Sequence, residues 1–345
     1  MKCYYRLPCV LMIIFFFLGC ISQDSKERLP ANNVVLDGFI QGTTYHIIYQ
    51  SESNNNYSSE IDSLLEEFDK TASIYDKNSI ISRINNNEPG VEVNDIFKKI
   101  FNRSMEISVI TDGMFDITVG PVVRAWGFGP DTVFNTTNVN IDSLLEFVGY
   151  NKVYLIDNKI AKSNPGVILD FNAIAQGYSV DLVSDFLQSR GINNYLVEIG
   201  GEVYCSGYKN GNTNWRIGID KPVEGSQLAG KNIQAVVNLT NKGLATSGNY
   251  RKFYYDEDSV KYSHTINPRT GKPVNHNLLS ATVIADDCMT ADAYATSFMV
   301  MGLEKSILFL TEHPELNALL IYSDSKNKYA MFETEGMKKV LEEYY

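Results

Sequence analysis

Residues 263–274 read SHTINPRTGKPV, and residues 291–296 read ADAYAT. The first segment places the imidazole of His264 and the guanidinium of Arg269 on a turn that two prolines and a glycine stiffen. The second places the carboxylate of Asp292 and the hydroxyl of Thr296 four residues apart, on one face of a predicted helix. A base, a phosphate-binding cation and two hard oxygen ligands together indicate phosphoryl chemistry assisted by a magnesium ion.

Each of these side chains also has a purely structural interpretation. A carboxylate is stabilised near a helix N-terminus, which Thr290 could cap, and a helical threonine can bond to the preceding turn. Spacing alone favours that interpretation for Asp292 and Thr296. His264 could equally be a structural histidine at the end of a strand, and Arg269 a solvated arginine. The two segments by themselves therefore leave both interpretations open.

A third motif, DFNAIAQG at residues 170–177, predicts a junction between a strand and a helix. Free N–H groups and the positive end of the helix dipole at such a junction favour a phosphate or another anion, and its carbonyls can reach a cation. The structural alternative is a capped helix in which Gly177 allows close packing. Gly200-Gly201 and Thr246-Ser247-Gly248 mark further places where the backbone can approach a ligand closely.

The composition limits the partners and metal sites of the chain. Its 345 residues carry a formal net charge of -11, and an acidic surface disfavours nucleic acid, which binds clustered Lys and Arg. Four scattered histidines without a CxxC motif do not form the pattern of a structural zinc site. Beyond residue 20 the cysteines are Cys205 and Cys288, and the sequence does not tell whether they pair.

The first twenty residues predict a signal for export. Lys2 and Arg6 precede an unbroken apolar run at residues 10–18, which is too short to span a bilayer but suits the hydrophobic part of a signal peptide. The run leads into Leu18-Gly19-Cys20, which resembles a lipobox. Cys20 is therefore the predicted lipidation site and mature N-terminus, with an ordinary signal peptide and a chance cysteine as the alternative.

The rest of the chain is predicted to hold a tether and one catalytic domain. Residues 21–34 are polar and predict a tether between the membrane surface and the domain. No Pro/Gly/Ser-rich linker follows, so residues 35–345 are predicted to form one compact unit. Helices and strands are mixed without regular βαβ alternation, which predicts the α+β class, or an irregular α/β fold.

Apolar periodicity and turn residues predict the elements of this domain. Helices are predicted from Ser58 or Ser59 through residue 68, over 94–112, 173–189 and 291–301, and after 303. Strands are predicted over 36–49, 153–160, 166–170, 195–199, 202–205, 215–219, 233–239, 253–255, 260–262, 280–285 and 318–322.

Taken together, the motifs resemble the ApbE family of FAD:protein FMN transferases. The resemblance runs from about Gly42 to Gly302, and the motifs follow the family's order. They are GTTY (42–45), SIY (73–75), SIISRIN (79–85), DGMFDITVGP (112–121), WGFG (126–129), residues 170–177, EIGGE (198–202), TSG (246–248), the His264 segment and ADA (291–293). Any one motif is weak, whereas the ordered series is specific.

The resemblance implies an ApbE-like fold of two intimately packed subdomains with FAD in the cleft between them. It implies a magnesium-dependent enzyme that splits FAD and joins FMN through a phosphoester to a threonine of a target protein, releasing AMP. Family targets include subunits of NADH:quinone reductase and of Rnf-type complexes, outside the cytoplasmic membrane. A lipid-anchored protein on the outer, periplasmic side of that membrane fits such targets.

The resemblance also assigns residues. The metal ligands would be the carbonyl of Ala173, Asp292 and Thr296, and His264 would be the base that activates the acceptor threonine. The FAD-contacting positions would be Gln41, Tyr75, Met114, Phe115, Asp116, Asp170, Gln176 and His264. Family members often carry Lys or Glu in place of Gln176, and a neutral amide supplies no charge there.

Two expectations rest on physical chemistry rather than on the family. Arg269 is placed near the diphosphate of FAD because a guanidinium can hold a phosphate with two hydrogen bonds. The rings of Tyr75 and Phe115 are expected to pack against the flat flavin or adenine ring.

Two other functions remain open at the level of sequence. Water could replace threonine at the same site, which would make the enzyme an FAD pyrophosphatase that releases FMN and AMP. The chain could also be a non-catalytic flavin-binding lipoprotein. Tyr75 matches an aromatic position that accompanies transfer in the family, and a carrier needs neither a base nor a metal, so transfer is favoured.

Overall fold

The computed structural model describes residues 32–130, 132, 140–209, 211, 213–223, 230–250, 253–255 and 261–344. The predicted signal peptide with Cys20 lies outside the described residues, as do residues 21–31 of the predicted tether. The first strand begins at Asn32, inside the segment predicted as a tether, so the described fold starts before position 35.

Strands form most of the framework. In chain order they are β1 (Asn32–Ile40), β2 (Thr43–Ser51), β3 (Val153–Ile156), β4 (Lys159–Lys162), β5 (Tyr195–Ile199), β6 (Glu202–Ser206), β7 (Trp215–Asp220), β8 (Ile233–Leu239), β9 (Lys242–Gly248), β10 (Phe253–Tyr255), β11 (Lys261–Ser263), β12 (Ile266–Asn267), β13 (Lys272–Pro273), β14 (Leu278–Ala285), β15 (Asn317–Ser323), β16 (Tyr329–Glu333) and β17 (Leu341–Tyr344).

Helices are placed between these strands. They are α1 (Ser58–Ala72), α2 (Ile80–Asn85), α3 (Asp95–Ile110), α4 (Gly120–Ala125), α5 (Ile141–Leu145), α6 (Ala175–Ser189), α7 (Cys288–Met301), α8 (Leu303–Glu312) and α9 (Glu335–Val340), with a short 3₁₀ turn at Tyr150–Lys152. Within the described ranges, no helix is both long enough and apolar enough to cross a membrane.

The described strands build an eight-stranded antiparallel sheet in the order β1-β2-β5-β6-β9-β14-β15-β16. The small sheet β17-β8-β7 covers one face, and helices α6 and α7 cover the other. In β15, Ala318 and Leu320 face the helices, whereas Leu319 and Ile321 face the small sheet. Because both faces are covered, such a strand is a continuous apolar run in sequence.

Helix α7 lies in the centre of the molecule, and its neighbours approach it through glycines. Twelve of its fourteen residues are buried, which explains why the segment has little amphipathic pattern. A Cβ at Gly243 of β9 would lie 2.4 Å from the backbone nitrogen of Cys288. A Cβ at Gly177 of α6 would lie 2.4 Å from the carbonyl oxygen of Cys288. Glycine at both positions therefore lets a strand and a helix pack directly on the α7 backbone.

Several elements confirm the sequence prediction closely. Helix α3 begins after Asn94, whose side chain accepts a hydrogen bond from the N–H of Phe97. Helix α6 ends at Ser189, and strands β5 and β6 form the expected hairpin. The α+β class is confirmed by the antiparallel sheet with its helices on one face.

Other predicted elements are wrong in detail. Segment 166–170 is not a strand, apart from a bridge between Ile168 and Val119. Helix α1 has Tyr57 rather than a serine at its N-cap position. Helix α7 begins at Cys288 because Asp287, and not Thr290, caps it through its side chain. Strand β9, in the middle of the large sheet, has no counterpart among the predicted strands.

Gly243→Ala should destabilise the fold, because the added methyl group would overlap the backbone of Cys288, which cannot move without shifting α7. We expect a loss of about 1–3 kcal/mol in the free energy of unfolding, measured by urea denaturation. Gly218→Ala in β7 is the control, since its methyl group would first meet the Cδ1 of Ile233 at 3.3 Å. An equal loss in both variants would contradict the close approach of β9 to α7.

Candidate active site

The predicted metal ligand Asp292 lies where α7 crosses the start of α6. Its Oδ2 accepts a hydrogen bond of 3.0 Å from the N–H of Gly177. The side chain is buried, and burial raises the pKa of Asp292 to about 7, while the Gly177 N–H acts in the opposite direction. A Cβ at position 177 would lie 2.8 Å from the Cβ of Asp292. Gly177 therefore serves close packing, as one interpretation of the sequence expected, and that packing brings its N–H to the carboxylate.

The carbonyl of Ala173 belongs to the same crossing. At a regular helix start, the N–H of Gly177 would donate to the carbonyl four residues earlier, which is that of Ala173. It donates to Asp292 instead, whereas the N–H of Tyr178 follows the helical pattern and donates to the carbonyl of Ile174 at 3.2 Å. The Ala173 carbonyl thus lies outside the helical hydrogen-bond pattern, at the start of the helix whose Gly177 contacts Asp292.

The end of β9 connects Thr296 to the His264 segment. The hydroxyl oxygens of Thr296 and Ser247 lie 3.0 Å apart. Two residues after Ser247, the Oδ1 of Asn249 accepts a hydrogen bond of 2.7 Å from the hydroxyl of Thr265. Since two residues of extended chain span only about 7 Å, Thr296 and the neighbour of His264 are held at the same strand end.

His264 is half-buried and lies beside a braced turn. The indole Nε1–H of Trp126 donates to the carbonyl of Gly271 at 2.7 Å, which fixes the turn that follows the histidine. The ring of Phe128 meets the imidazole edge-on, with 6.4 Å between ring centroids. The predicted base therefore has a defined position.

Gln41 and Gln176 meet at Ser179. The Oγ of Ser179 lies 2.7 Å from the main-chain carbonyl of Gln176 and 3.2 Å from the Oε1 of Gln41. The Nε2 of Gln41 is buried near the carboxylate of Asp69, and burial raises the pKa of Asp69 while a hydrogen bond from the Gln41 side chain lowers it. The amide of Gln176 lies against Gly200, where a Cβ would be 1.7 Å from its Nε2. Two predicted FAD contacts are thus brought together at Ser179.

Asp170 and Tyr75 form another part of the site. Asp170 is buried, and its Oδ1 accepts a hydrogen bond of 2.9 Å from the N–H of Asn172. Burial raises the pKa of Asp170, whereas this N–H and the charge of Arg124 lower it. Tyr75 is 63% exposed, so its ring is available to a ligand. Partial burial and the nearby Asp170 carboxylate both raise the pKa of Tyr75.

The loop at residues 114–116 shows that one expectation, stacking of the Phe115 ring on a ligand, is wrong. The ring of Phe115 is 2% exposed and belongs to the main core, so it cannot stack on a flavin or adenine ring. The Oδ1 of Asp116 accepts hydrogen bonds from the N–H and hydroxyl of Thr118 at 2.8 and 2.6 Å, and its Oδ2 accepts one from the N–H of Tyr150 at 2.7 Å. Met114 is buried as well. FAD contact at these positions stays a prediction.

Arg269 forms an ion pair with Asp112 at the protein surface. Its Nη2 contacts both the carbonyl oxygen and the carboxylate of Asp112. Half of its side chain is exposed, at 49%. The guanidinium therefore braces the turn before residues 114–116, and its predicted role near a diphosphate stays a prediction.

Sequence reasoning missed three polar residues that organise the site. Ser179 joins the two glutamines, and Asn249 anchors Thr265, the residue directly after His264. Ser247 lies in a motif that sequence reasoning marked for backbone approach, although its side chain makes the contact with Thr296. Ser179 could have been found from its position three residues after Gln176 on one helix face.

These residues fit a magnesium ion by their chemistry. A carboxylate, a hydroxyl and a main-chain carbonyl are hard oxygen donors, and Mg²⁺ usually takes one or two carboxylates together with waters and substrate phosphates. Within the described residues there is no group of three or more His, Cys, Asp or Glu that could hold a metal, and a set with one carboxylate would not form such a group.

Known proteins resemble this chain over most of its length. The ApbE family model matches residues 41–320. The FAD:protein FMN transferase of Vibrio cholerae serotype O1 is 36% identical over 312 residues, which cover 87% of this chain and 91% of that protein. The Haemophilus influenzae FAD:protein FMN transferase is 34% identical over 325 residues, covering 90% and 92%. The structure of the flavin transferase ApbE from Vibrio cholerae superposes with a TM-score of 0.80 at 35% identity, over 90% of this chain and 100% of that one.

Trp126→Phe should loosen the turn after His264, because it removes the donor to the Gly271 carbonyl and keeps an aromatic ring beside Tyr262. Amide hydrogen exchange across residues 263–274 should become faster, because the free energy of local opening should fall by about 0.5–1.5 kcal/mol. Trp215→Phe is the matched control, since it removes an indole bond of 3.0 Å that joins β7 of the small sheet to the Ser206 carbonyl of β6 in the large sheet. Unchanged protection in Trp126→Phe would disprove the bracing role.

Proposed function

The chain belongs to the ApbE family, and from that premise we propose that it transfers the FMN moiety of FAD to a target protein. The observation that carries the proposal is the crossing of α6 and α7, where the buried Asp292 carboxylate contacts the N–H of Gly177 and Thr296 is joined to the His264 segment through β9. A protein that only held flavin would need neither a buried carboxylate of this kind nor a base.

Asp292, Thr296 and the carbonyl of Ala173 would hold Mg²⁺ in this proposal. The ion, when bound, would offset negative charge on the FAD diphosphate and on the departing AMP. Asp292 and Thr296 lie one helical turn apart on a helix that is buried on all sides, so their oxygens would keep a fixed separation.

His264 would act on the acceptor threonine. An imidazole titrates near neutral pH, and one of its nitrogens would take the hydroxyl proton as the threonine oxygen bonds to the FMN phosphorus. The bond between that phosphorus and the bridging oxygen breaks, and AMP leaves with the bridging oxygen. The products are the FMN phosphoester of threonine, AMP and the proton held by His264.

The remaining predicted contacts would position FAD. The Gln41 amide lies between Ser179 and Asp69, and Gln176 lies beside it, so the pair suits the polar edge of a ring or a ribose. The exposed Tyr75 ring, close to Asp170, suits stacking against a flat ring. Residues 114–116 would contribute through their backbone, and Arg269 would lie at the rim of this region.

The location proposed for the enzyme follows from its first residues. Cys20 would carry a lipid that anchors the chain on the outer, periplasmic side of the cytoplasmic membrane, with residues 21–31 as the tether. Acceptors would be membrane flavoprotein subunits exposed on that side, such as those of NADH:quinone reductase or Rnf-type complexes.

One experiment tests the proposed reaction. The protein is incubated with FAD, Mg²⁺ and a threonine-containing peptide from an acceptor subunit, and both peptide mass and free nucleotides are measured. A peptide carrying FMN, together with an equal amount of AMP, supports transfer. Free FMN and AMP without an adduct would identify a pyrophosphatase, and intact FAD would identify a flavin carrier.

The variants Asp292→Ala and His264→Ala test the contributions of the metal ion and of the base to the reaction separately. Asp292→Ala should lower Mg²⁺-dependent transfer at least about 100-fold, because several kcal/mol of charge stabilisation is lost with the metal. His264→Ala should lower transfer by about 10²–10⁴-fold and leave FAD binding measurable by calorimetry. Full activity of Asp292→Ala would refute the metal assignment, and full activity of His264→Ala would refute the base.

Cys20→Ser should release the protein from the membrane fraction, because serine cannot carry the thioether-linked lipid. The measurement is the distribution of the full chain between membrane and soluble fractions after cell lysis. Lys2→Gln, which leaves Cys20 in place, is the control and should remain in the membrane fraction. Membrane association that is the same with serine at position 20 would rule out a lipid anchor there.

A further inference from the structure

Helices α6 and α7 exchange hydrogen bonds in both directions. The N–H of Gly177 at the start of α6 donates to Asp292 of α7. In return, Asp181 of α6 accepts the N–H of Cys288 on its Oδ1 and the N–H of Met289 on its Oδ2, both at 2.8 Å. Each helix therefore presents a buried carboxylate to free N–H groups in the first turn of the other.

Asp181 complements the N-cap of α7 from a second helix. The N-cap is Asp287, whose Oδ1 accepts the N–H of Thr290 at 2.7 Å, and it leaves the N–H groups of Cys288 and Met289 to Asp181. A second carboxylate at the same helix end is costly, because burial and the neighbouring charge of Asp287 raise the pKa of Asp181 to about 8. Because Asp181 belongs to α6, its two bonds also fix how α7 lies against α6.

The first turn of α7 is also fixed from other sides. The guanidinium of Arg103, on α3, donates to the hydroxyl of Thr290 through its Nε at 3.1 Å and its Nη2 at 2.9 Å. The backbone of Cys288 packs directly against Gly243 and Gly177. The start of α7 can therefore neither slide along its axis nor turn without breaking these contacts.

We propose that Asp181 is a positioning residue for Asp292, because it sets the axial register of α7 against α6. One residue of helical rise is 1.5 Å, whereas metal–ligand distances tolerate only about 0.2 Å. A small slide of α7 would thus move the Asp292 and Thr296 oxygens away from the Ala173 carbonyl. This inference rests on the proposed function, since it assigns Asp181 to the same metal site.

The test measures metal binding without the reaction. Mn²⁺, which also takes oxygen ligands, is titrated into the purified full chain without FAD, and free Mn²⁺ is followed by electron paramagnetic resonance. Asp181→Asn keeps the shape of the side chain but turns an NH₂ group towards one of the two N–H donors. It should weaken Mn²⁺ binding at least about tenfold and raise the Mg²⁺ concentration for half-maximal transfer by the same factor. Saturating Mg²⁺ should then restore the turnover rate.

Asp185→Asn is the matched control. Asp185 lies one turn further along α6, is mostly exposed and pairs with Lys99 at 3.6 Å. Its variant should bind Mn²⁺ as the wild type does. Asp181→Ser provides a second variant, because its hydroxyl can accept only one of the two N–H groups without the charge. It should also bind Mn²⁺ more weakly than the wild type.

The outcomes separate this inference from the proposed function. Wild-type Mn²⁺ affinity in folded Asp181→Asn, or an equal loss in Asp185→Asn, would overturn the positioning role and leave the proposed function intact. Absence of Mn²⁺ binding in the wild type would overturn the metal site, and the positioning role with it. Failure of both Asp181 variants to fold would assign the residue to stability alone and overturn the inference.

Discussion

The close crossing of α6 and α7 is the contact on which the rest of the site depends. Gly177 has no side chain, so α7 comes near enough for Asp292 to accept the Gly177 N–H. That bond stabilises part of a buried carboxylate and also removes the N–H that would otherwise bond to the Ala173 carbonyl. In a regular helix start these two backbone groups would satisfy each other. Close packing of the two helices therefore leaves the Ala173 carbonyl without its helical partner and gives the Asp292 carboxylate a main-chain donor.

The large sheet also fixes the position of α7. Strand β9 approaches α7 through Gly243, and at its end Ser247 lies 3.0 Å from Thr296. Just after β9 ends, the side chain of Asn249 accepts a hydrogen bond from the hydroxyl of Thr265, the neighbour of His264. The predicted ligand residues of α7 are therefore carried on packed elements rather than on loops, which suits a phosphoryl transfer that tolerates little displacement of its reacting groups.

Prediction from sequence succeeded where a short segment contains its own signals. Helix α3 was predicted from Asn94, and the β5–β6 hairpin from the Gly200-Gly201 turn, because a cap or a turn acts on adjacent residues. Strand β9 was missed because its sequence, KGLATSG, has small residues and two glycines, and its extended form depends on pairing with β6 and β14. Phe115 was expected to stack on a ligand because it is an aromatic residue in a motif, yet its ring is buried in the hydrophobic core.

The sequence by itself determined the family resemblance, the α+β class and the residue types of the site, since motif order and local periodicity are written along the chain. It could not decide between a ligand and a helix-capping role for Asp292, because both need a carboxylate near the start of a helix. Only the tertiary structure decided that the cap is Asp287 and that Asp292 accepts an N–H from another helix. It also showed that Asp181 of that helix accepts an N–H from the start of α7. The two contacts between the helices join residues more than a hundred positions apart, and no local pattern encodes such a pairing.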